Sequence, residues 1–339
     1  MSSSSVSNGI LKFATQYSLY TGCITFGFGV IGNVLNLLVF TQLKLFRTNR
    51  CVFYITIESI SNLFYQFFSM SLTMLISIYG DDATGRFSIW CKFKSILGQI
   101  TALITFYMIC FSAVDQFFST NHRFYLRQMC TLKLGRYFTF IFICFTIIHS
   151  IVLGSSFDSH PTLGCVLSNY VAVQYSTYFF YPILIGFLPI IIASSFSILA
   201  YHNVRHIIRR QLPIVRRKLD KQITAMILIR VIAFVCLSLP YNAYRIYAVN
   251  FPTPRGMPMA YAISRLIQTI FLSIYIINYM ISCYIFIIFS SRFRRQVKFV
   301  LVKKCWQRWK YWCCSINNRI EPDNNIETRN SQMESEENI

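Results

Sequence analysis

Residues 95–114 form an unbroken stretch without a charged side chain. Its length matches the roughly 20 residues that a helix needs to cross the hydrocarbon core of a bilayer. The stretch also carries Gln99, Thr101, Thr105 and Ser112, and polar side chains are costly where they face lipid. We therefore expect a membrane-spanning helix at the centre of a bundle, with its polar residues directed toward other helices.

The composition supports a membrane protein. Of the 339 residues, 55% are hydrophobic and only 13% are charged, compared with about 25% charged in soluble domains. The net charge of +20 could suggest nucleic-acid binding, but Lys and Arg lie in short clusters between apolar runs. That pattern is typical of cytoplasmic loops, and no soluble module is predicted that could carry nucleic acid. The 12 Cys include no C-x-x-C pair, so no metal or cofactor site is predicted.

Seven apolar runs are separated by charged loops. The predicted spans are 17–43, 52–79, the central 95–114, 137–153, 173–201, 223–249 and 259–289. The loops after the first, third and fifth spans are basic, which places the amino terminus outside and the carboxyl terminus inside. We predict an all-α membrane protein, a seven-transmembrane helix bundle at the plasma membrane.

The segments outside the spans follow from this topology. Residues 1–16 are predicted to be a short extracellular segment. Residues 290–302 have an apolar stripe and a basic face, which predicts an amphipathic helix on the membrane surface. Residues 303–339 are predicted to be a cytoplasmic tail, and anionic membrane lipids are expected partners of the basic loops. Three tail cysteines are either palmitoylated or free thiols: Cys305, Cys313 and Cys314.

Polar residues within the spans are expected to bond across helices, because an unbonded polar group in hydrocarbon is costly. The candidates are Asn33, Glu58, Asn62 and Asn278. Glu58 should be protonated or paired. Arg230 in the sixth span could pair with Glu58 or, alternatively, with an acid at the end of the third span, Asp115.

Two cysteines, Cys91 and Cys165, fall on the predicted outer side of the membrane. That compartment is oxidising, so we expect a disulfide between them, with two free thiols as the alternative.

Over about residues 17–302 the sequence resembles a rhodopsin-like (class A) G-protein-coupled receptor of a divergent invertebrate type. The resemblance rests on the order and spacing of several motifs. These are GNVLNLLVF at 32–40, Asn62, Cys91 placed 25 residues before Gln116, Pro189, Phe234, Pro240, Asn278, and the run Ser282 to Phe286 followed by Phe293-Arg294.

The resemblance implies a receptor that binds an extracellular ligand and couples to a heterotrimeric G protein. The implied coupling and switch residues are Asp115, Gln116, Asp220, Arg230, Ser282 and Phe286. Gln116 stands in place of the family's Arg, and its bond to Asp220 would be weaker than an ion pair. The family's sodium site falls on neutral Asn62 and Ser282, so sodium binding is not expected unless Glu58 substitutes.

The resemblance also places a ligand pocket in the outer half of the bundle. Its implied lining is Gln99, Ala102, Tyr241, Asn242, Arg245, Gln268 and Leu272. Gly98 replaces the Asp of amine-binding relatives, so a peptide or a small non-amine ligand is expected. Arg245 favours an anionic or carbonyl-bearing ligand. The alternative is that Arg245 extends to the lipid headgroups.

The sequence also bears on three other functions. Gln116 makes a weakly coupling or decoy receptor the main alternative. A transporter usually shows internal repeats, and none is visible. An enzyme would need clustered catalytic residues, whereas the spans offer the acids Glu58 and Asp115 and contain no H-E-x-x-H or G-x-S-x-G motif. We therefore expect a receptor and not an enzyme.

Overall fold

The computed structural model describes residues 3–42, 50–79, 87–121, 123–129, 131–160, 164–207, 214–251 and 257–305. These ranges are almost entirely helical. The regular helices are α1 (Ser3–Gln42), α3 (Ser88–Thr120), α4 (Phe124–Met129), α5 (Leu132–Ser155) and α7 (Ile214–Asn250). Two helices contain a π-helical part: α2 (Arg50–Phe64, Tyr65–Met70 in π geometry, Ser71–Tyr79) and α6 (Tyr170–Tyr175, Ser176–Phe187 in π geometry, Leu188–Ile207). The last two are α8 (Pro258–Ile276, Ile277–Tyr279 in 3₁₀ geometry, Ile281–Phe289) and α9 (Ser291–Lys298, continued by Phe299–Cys305). Strands β1 (Phe157–His160) and β2 (Gly164–Leu167) pair antiparallel as a hairpin.

Within the described ranges, six helices are long and apolar enough to cross a membrane. They are α1, α3, α5, α6, α7 and α8, and they make the chain an all-α, multi-pass membrane protein. The remaining predicted span lies in α2, which is not among the six. Polar side chains such as Glu58, Asn62 and Gln66 lower its hydropathy, and all three are buried inside the bundle.

Helix α3 runs through the middle of the bundle. Its polar side chains Gln99, Thr101, Thr105 and Ser112 are buried, as the sequence predicts. Its central ring, Phe106, is fully buried and contacts aromatic rings of α7 and α8. Helices α2, α5, α6 and α7 pack directly against α3, through both aromatic packing and polar contacts.

Helix α1 begins at Ser3 and not at the predicted start of the first span, Tyr17. The polar residues before Tyr17 continue the helix because one face is covered by α8. Ser7 donates a hydrogen bond to the carbonyl of Pro258 at 2.8 Å, and Ala14 is buried. Tertiary contact of this kind stabilises helices whose composition alone is a poor guide.

Helix α9 follows α8 after the bend at Ser290, whose hydroxyl accepts a hydrogen bond from the Phe293 amide. The apolar side of α9 packs against the bundle. The Phe293 ring lies 5.5 Å from Phe40 and 5.8 Å from Phe286, and Val300 is fully buried. The basic side chains Arg294, Arg295 and Lys298 are exposed on the other side.

Candidate functional site

A cavity of about 420 Å³ opens at the hairpin end of the bundle. We call it the outer cavity. Side chains of α1, α2, α3, α6, α7 and α8 line it. It brings together six of the seven predicted ligand residues: Gln99, Ala102, Tyr241, Asn242, Arg245 and Leu272. The seventh, Gln268, lines an adjoining cavity of about 190 Å³. Tyr241 and Arg245 line both cavities.

The hairpin forms part of the cavity wall. Cys91 at the start of α3 and Cys165 in β2 form a disulfide, with their Cα atoms 5.4 Å apart. Both Cys165 and Phe157 line the outer cavity. The disulfide therefore holds the hairpin over the bundle and fixes one side of the cavity.

Asp158 provides a second attachment of the hairpin to α3. Its Oδ1 accepts a hydrogen bond from Ser88 at 2.8 Å and lies 3.2 Å from the Lys92 ammonium. Its Oδ2 accepts a hydrogen bond from Ser168 at 3.1 Å. The bond from Ser88, followed by those from Lys92 and Ser168, lowers the pKa of the Asp158 carboxyl.

We predict that Asp158→Asn removes a pH dependence of the hairpin. Because the folded-state pKa is lowered, the carboxylate stabilises the hairpin fully above its ordinary pKa and loses that effect as the pH falls through the lowered value. Hydrogen-exchange protection of residues 157–160, corrected for intrinsic rates, should decrease in acid in the wild type and remain level in the variant. Equal acid sensitivity in the two proteins would contradict this assignment.

Several polar groups of the outer cavity lack a partner. Within the described part of the chain, Ser69 Oγ, Gln99 Oε1 and Asn242 Nδ2 are buried and make no hydrogen bond. A buried polar group without a partner costs about 1–3 kcal/mol. These three residues also line the cavity, so a bound molecule that reaches the three groups would supply the missing partners.

Arg245 projects from α7 into the same region. Its guanidinium lies over the Tyr181 ring, 3.3 Å from the ring centroid, and Nη1 donates to Tyr241 Oη at 3.2 Å. The side chain is therefore held among aromatic rings of α6 and α7.

A buried ion pair lies deeper in the bundle. Arg230 Nη2 of α7 is 2.8 Å from Glu58 Oε1 of α2, and the two side chains are 4% and 3% exposed. Arg230 Nε donates to Ser282 Oγ at 2.8 Å, and Nη2 donates to the Asn278 carbonyl at 3.0 Å. We call these four residues the Arg230 cluster. Of the two acids proposed for Arg230, the structure places Glu58 beside it.

The Arg230 cluster continues toward the outer cavity. Asn278 Nδ2 donates to Ser238 Oγ and to the Tyr275 carbonyl, both at 3.1 Å. Tyr275 and the next residue after Asn278, Tyr279, line the cavity. A molecule that shifts either tyrosine would therefore also shift the segment that contains Asn278, whose carbonyl accepts a hydrogen bond from Arg230.

The remaining predicted interhelical residues form a separate set of bonds. Asn33 Nδ2 donates to the Tyr279 carbonyl at 2.8 Å, Asn62 Nδ2 donates to Asn33 Oδ1 at 3.3 Å, and Thr105 donates to Asn62 Oδ1 at 2.9 Å. These residues do not fit a sodium site. The carboxylate that could have served, Glu58, faces the Arg230 guanidinium, and Na⁺ would have to displace that charge.

The opposite end of the bundle holds Asp115 and Gln116 of α3. Arg50 Nε lies 3.4 Å from Asp115 Oδ1. Gln116 Oε1 accepts from Cys51 Sγ at 3.1 Å, and Gln116 Nε2 donates to Thr224 Oγ1 at 2.5 Å. Gln116 thus contacts α7 through Thr224.

Other predicted residues fall in two groups. Phe286 is buried, with its ring 6.3 Å from that of Phe40. Four side chains lie outside the described residues: those of Asp220, Cys305, Cys313 and Cys314.

The sequence prediction missed most of the residues that line the outer cavity, and two of them, Tyr181 and Ser69, are instructive. Tyr181 precedes Pro182 in the π-helical part of α6, and nothing in the local sequence indicates its contact with Arg245. Ser69 carried a usable signal, because Asn62, Gln66 and Ser69 follow the i, i+4, i+7 spacing of one helix face. Comparison with known proteins adds no assignment, since no protein-family model and no curated protein matches the chain.

Proposed function

We propose that the protein is a receptor of the rhodopsin-like kind, which binds an extracellular ligand in the outer cavity and couples to a heterotrimeric G protein at the opposite end. The observation that carries this proposal is the connection between the two parts of the bundle. Cavity-lining Tyr275 and Tyr279 flank Asn278, whose carbonyl accepts a hydrogen bond from Arg230. A ligand site therefore adjoins a polar cluster that joins three helices.

In this proposal α2 is the seventh membrane-spanning helix. Most of its polar side chains face the bundle, whereas its exposed side chains, apart from Thr73, are large and apolar. These exposed apolar residues are Ile60, Phe64, Phe67, Phe68, Leu75 and Ile78. An element that is polar inside and apolar outside suits a lipid environment, because only the outer face meets hydrocarbon.

The proposed orientation places the hairpin outside the cell and α9 on the cytoplasmic membrane surface. The disulfide favours an oxidising compartment for the hairpin. Exposed basic residues at the other end, including Arg123, Arg127 and Lys133, follow the positive-inside rule. The exposed basic side of α9 suits the anionic cytoplasmic leaflet at the plasma membrane.

A second candidate is a receptor fold with weak or absent coupling. The neutral Gln116 side chain, held by Cys51 and Thr224, favours it. An amide offers neither the charge nor the five-donor fork of an arginine to a protein partner.

We predict that Gln116→Arg increases basal G-protein activation several-fold at equal surface expression, because charge-assisted hydrogen bonds are about twice as strong as neutral ones. The measurement is guanine-nucleotide exchange in membranes that contain the receptor and a panel of Gα subunits. Gln128→Arg, which adds the same charge at an exposed position of α4, is the matched control and should change nothing.

The outcomes separate the candidates. A wild type that activates a G protein above mock membranes supports the coupling receptor. A silent wild type with an active Gln116→Arg variant supports the weakly coupling receptor. If neither protein activates any Gα subunit despite normal surface expression, the proposed coupling is wrong.

A further inference from the structure

Arg245 lies where three cavities meet. It lines the outer cavity, the adjoining 190 Å³ cavity that contains Gln268, and a small cavity beside Thr177 on α6. Open space therefore borders the Arg245 residue on several sides. A molecule in the outer cavity can approach it without displacing a helix.

No carboxylate of the described residues pairs with Arg245. Its guanidinium contacts the Tyr181 ring and the Tyr241 hydroxyl. Among the described residues that line the three cavities there is no Asp or Glu. A guanidinium has five N–H donors, so these contacts leave most of its hydrogen-bonding capacity available. A partly buried cation of this kind favours an anionic partner.

Asn242 adds a second donor on the same side of α7. It precedes Arg245 by three residues, and positions i and i+3 share one face of a helix. Its side chain is 3% exposed, and Nδ2 has no hydrogen-bond partner in the described part of the protein. An amide N–H₂ and a guanidinium both donate. A carboxylate supplies acceptor oxygens and the negative charge that this pair lacks.

The remaining residues of the outer cavity indicate what kind of molecule would fit beside the carboxylate. Aromatic side chains of α2 and α8, Tyr65, Tyr275 and Tyr279, line it. Unpartnered Ser69 Oγ and Gln99 Oε1 lie on α2 and α3. The volume of about 420 Å³ falls in the range of about 300–1,000 Å³ that is typical of small-molecule sites.

We propose that the outer cavity binds a small carboxylic acid, with its carboxylate held by Arg245 and Asn242 and its apolar or aromatic body among the tyrosines. This inference rests on the proposed function only in that the cavity faces the extracellular side. A phospholipid phosphate would satisfy the same two donors, so the test must distinguish a free acid from a lipid headgroup.

The test is thermal unfolding of the purified full-length protein in detergent, with matched acids and primary amides. The probes are indole-3-acetate with indole-3-acetamide, benzoate with benzamide, and octanoate with octanamide, each at millimolar concentration. At least one acid should raise Tm by about 2–4 °C, as expected for modest saturation of a domain of this size. Its amide, which has the same shape without the charge, should have no effect.

Variants assign the shift to the site. Arg245→Gln should abolish the shift produced by the acid, and Arg245→Lys, which keeps the charge but not the fork, should retain part of it. Arg265→Gln is the matched control, because Arg265 is exposed, bonds Gln268 at 3.1 Å and lines none of the three cavities. It should preserve the full shift, and so exclude a general effect of positive charge. Should Arg245→Gln not fold, the Arg245→Lys and acid–amide comparisons decide.

Four results would overturn the proposal. They are an amide shift equal to the acid shift, an acid shift that survives in Arg245→Gln, no shift with any acid, and stabilisation by dioleoylphosphatidic acid but by no soluble acid. Because the assay contains no G protein, acid binding without nucleotide exchange leaves the carboxylate site intact and contradicts only the coupling. Nucleotide exchange without acid binding leaves the proposed coupling intact and contradicts only the carboxylate site.

Discussion

The Arg230→Met variant should lose about 3–5 kcal/mol of stability, the usual cost of removing one partner of a buried ion pair. Glu58 would remain 2% exposed without its counter-ion. Ser282 and the Asn278 carbonyl would also lose a donor. The measurement is Tm in detergent together with the fraction of protein that reaches the cell surface.

The double variant Glu58→Leu/Arg230→Met tests whether the loss comes from the uncompensated charge. Removing both partners deletes the buried charge, and such exchanges are often neutral. We therefore expect the double variant to recover most of the loss. Arg265→Met, at an exposed position of α8, should stay within about 0.5 kcal/mol of wild type. An Arg230→Met protein as stable as wild type would show that the ion pair is not a structural element.

The Arg230 cluster also constrains how the bundle can change shape. Its members come from α2, α7 and α8, and Arg230 makes its contacts to the other two helices from α7. Movement of the middle of α7 away from α2 and α8 would therefore require separation of this pair. Gln116 links α3 to α7 through Thr224 nearer the opposite end. One ionic and one neutral contact are thus among those that hold α7 in the observed arrangement.

The apolar membrane-spanning helices were predictable from hydropathy and loop charge, because side chains that face lipid must be apolar. Helix α2 is the instructive exception, because the sequence predicted a span there and α2 is not among the six helices that are apolar enough. Its buried polar residues, such as Glu58 and Asn62, lower the hydropathy by which a span is recognised. The extension of α1 to Ser3 was not predictable, because it depends on a contact with Pro258 that is distant in sequence.

The polar residues of the site could be predicted where a charged side chain in an apolar helix requires a bonding partner. A cation in the outer half of α7, Arg245, and an acid inside α2, Glu58, each demand a partner. Which partner each finds depends on the angles between helices, which no local pattern encodes. Tyr181 reaches Arg245 from an irregular part of α6. The 3₁₀ segment Ile277–Tyr279 contains neither Pro nor Gly, so the local sequence does not indicate it.

An aromatic layer lies between the outer cavity and the Arg230 cluster. Phe106 is 0% exposed, and its ring centroid lies 5.1 Å from Phe234, 5.5 Å from Tyr275 and 5.9 Å from Tyr279. Phe106→Ala should cost about 3–5 kcal/mol, through lost packing and the cavity that remains. Phe140→Ala, at a 65% exposed position of α5, removes the same ring from the outer surface and should cost less than about 1 kcal/mol. The measurement is Tm of both variants in the same detergent. Equal losses would show that Phe106 does not hold α7 and α8 against α3, and that the link from cavity to cluster runs through the hydrogen bonds alone.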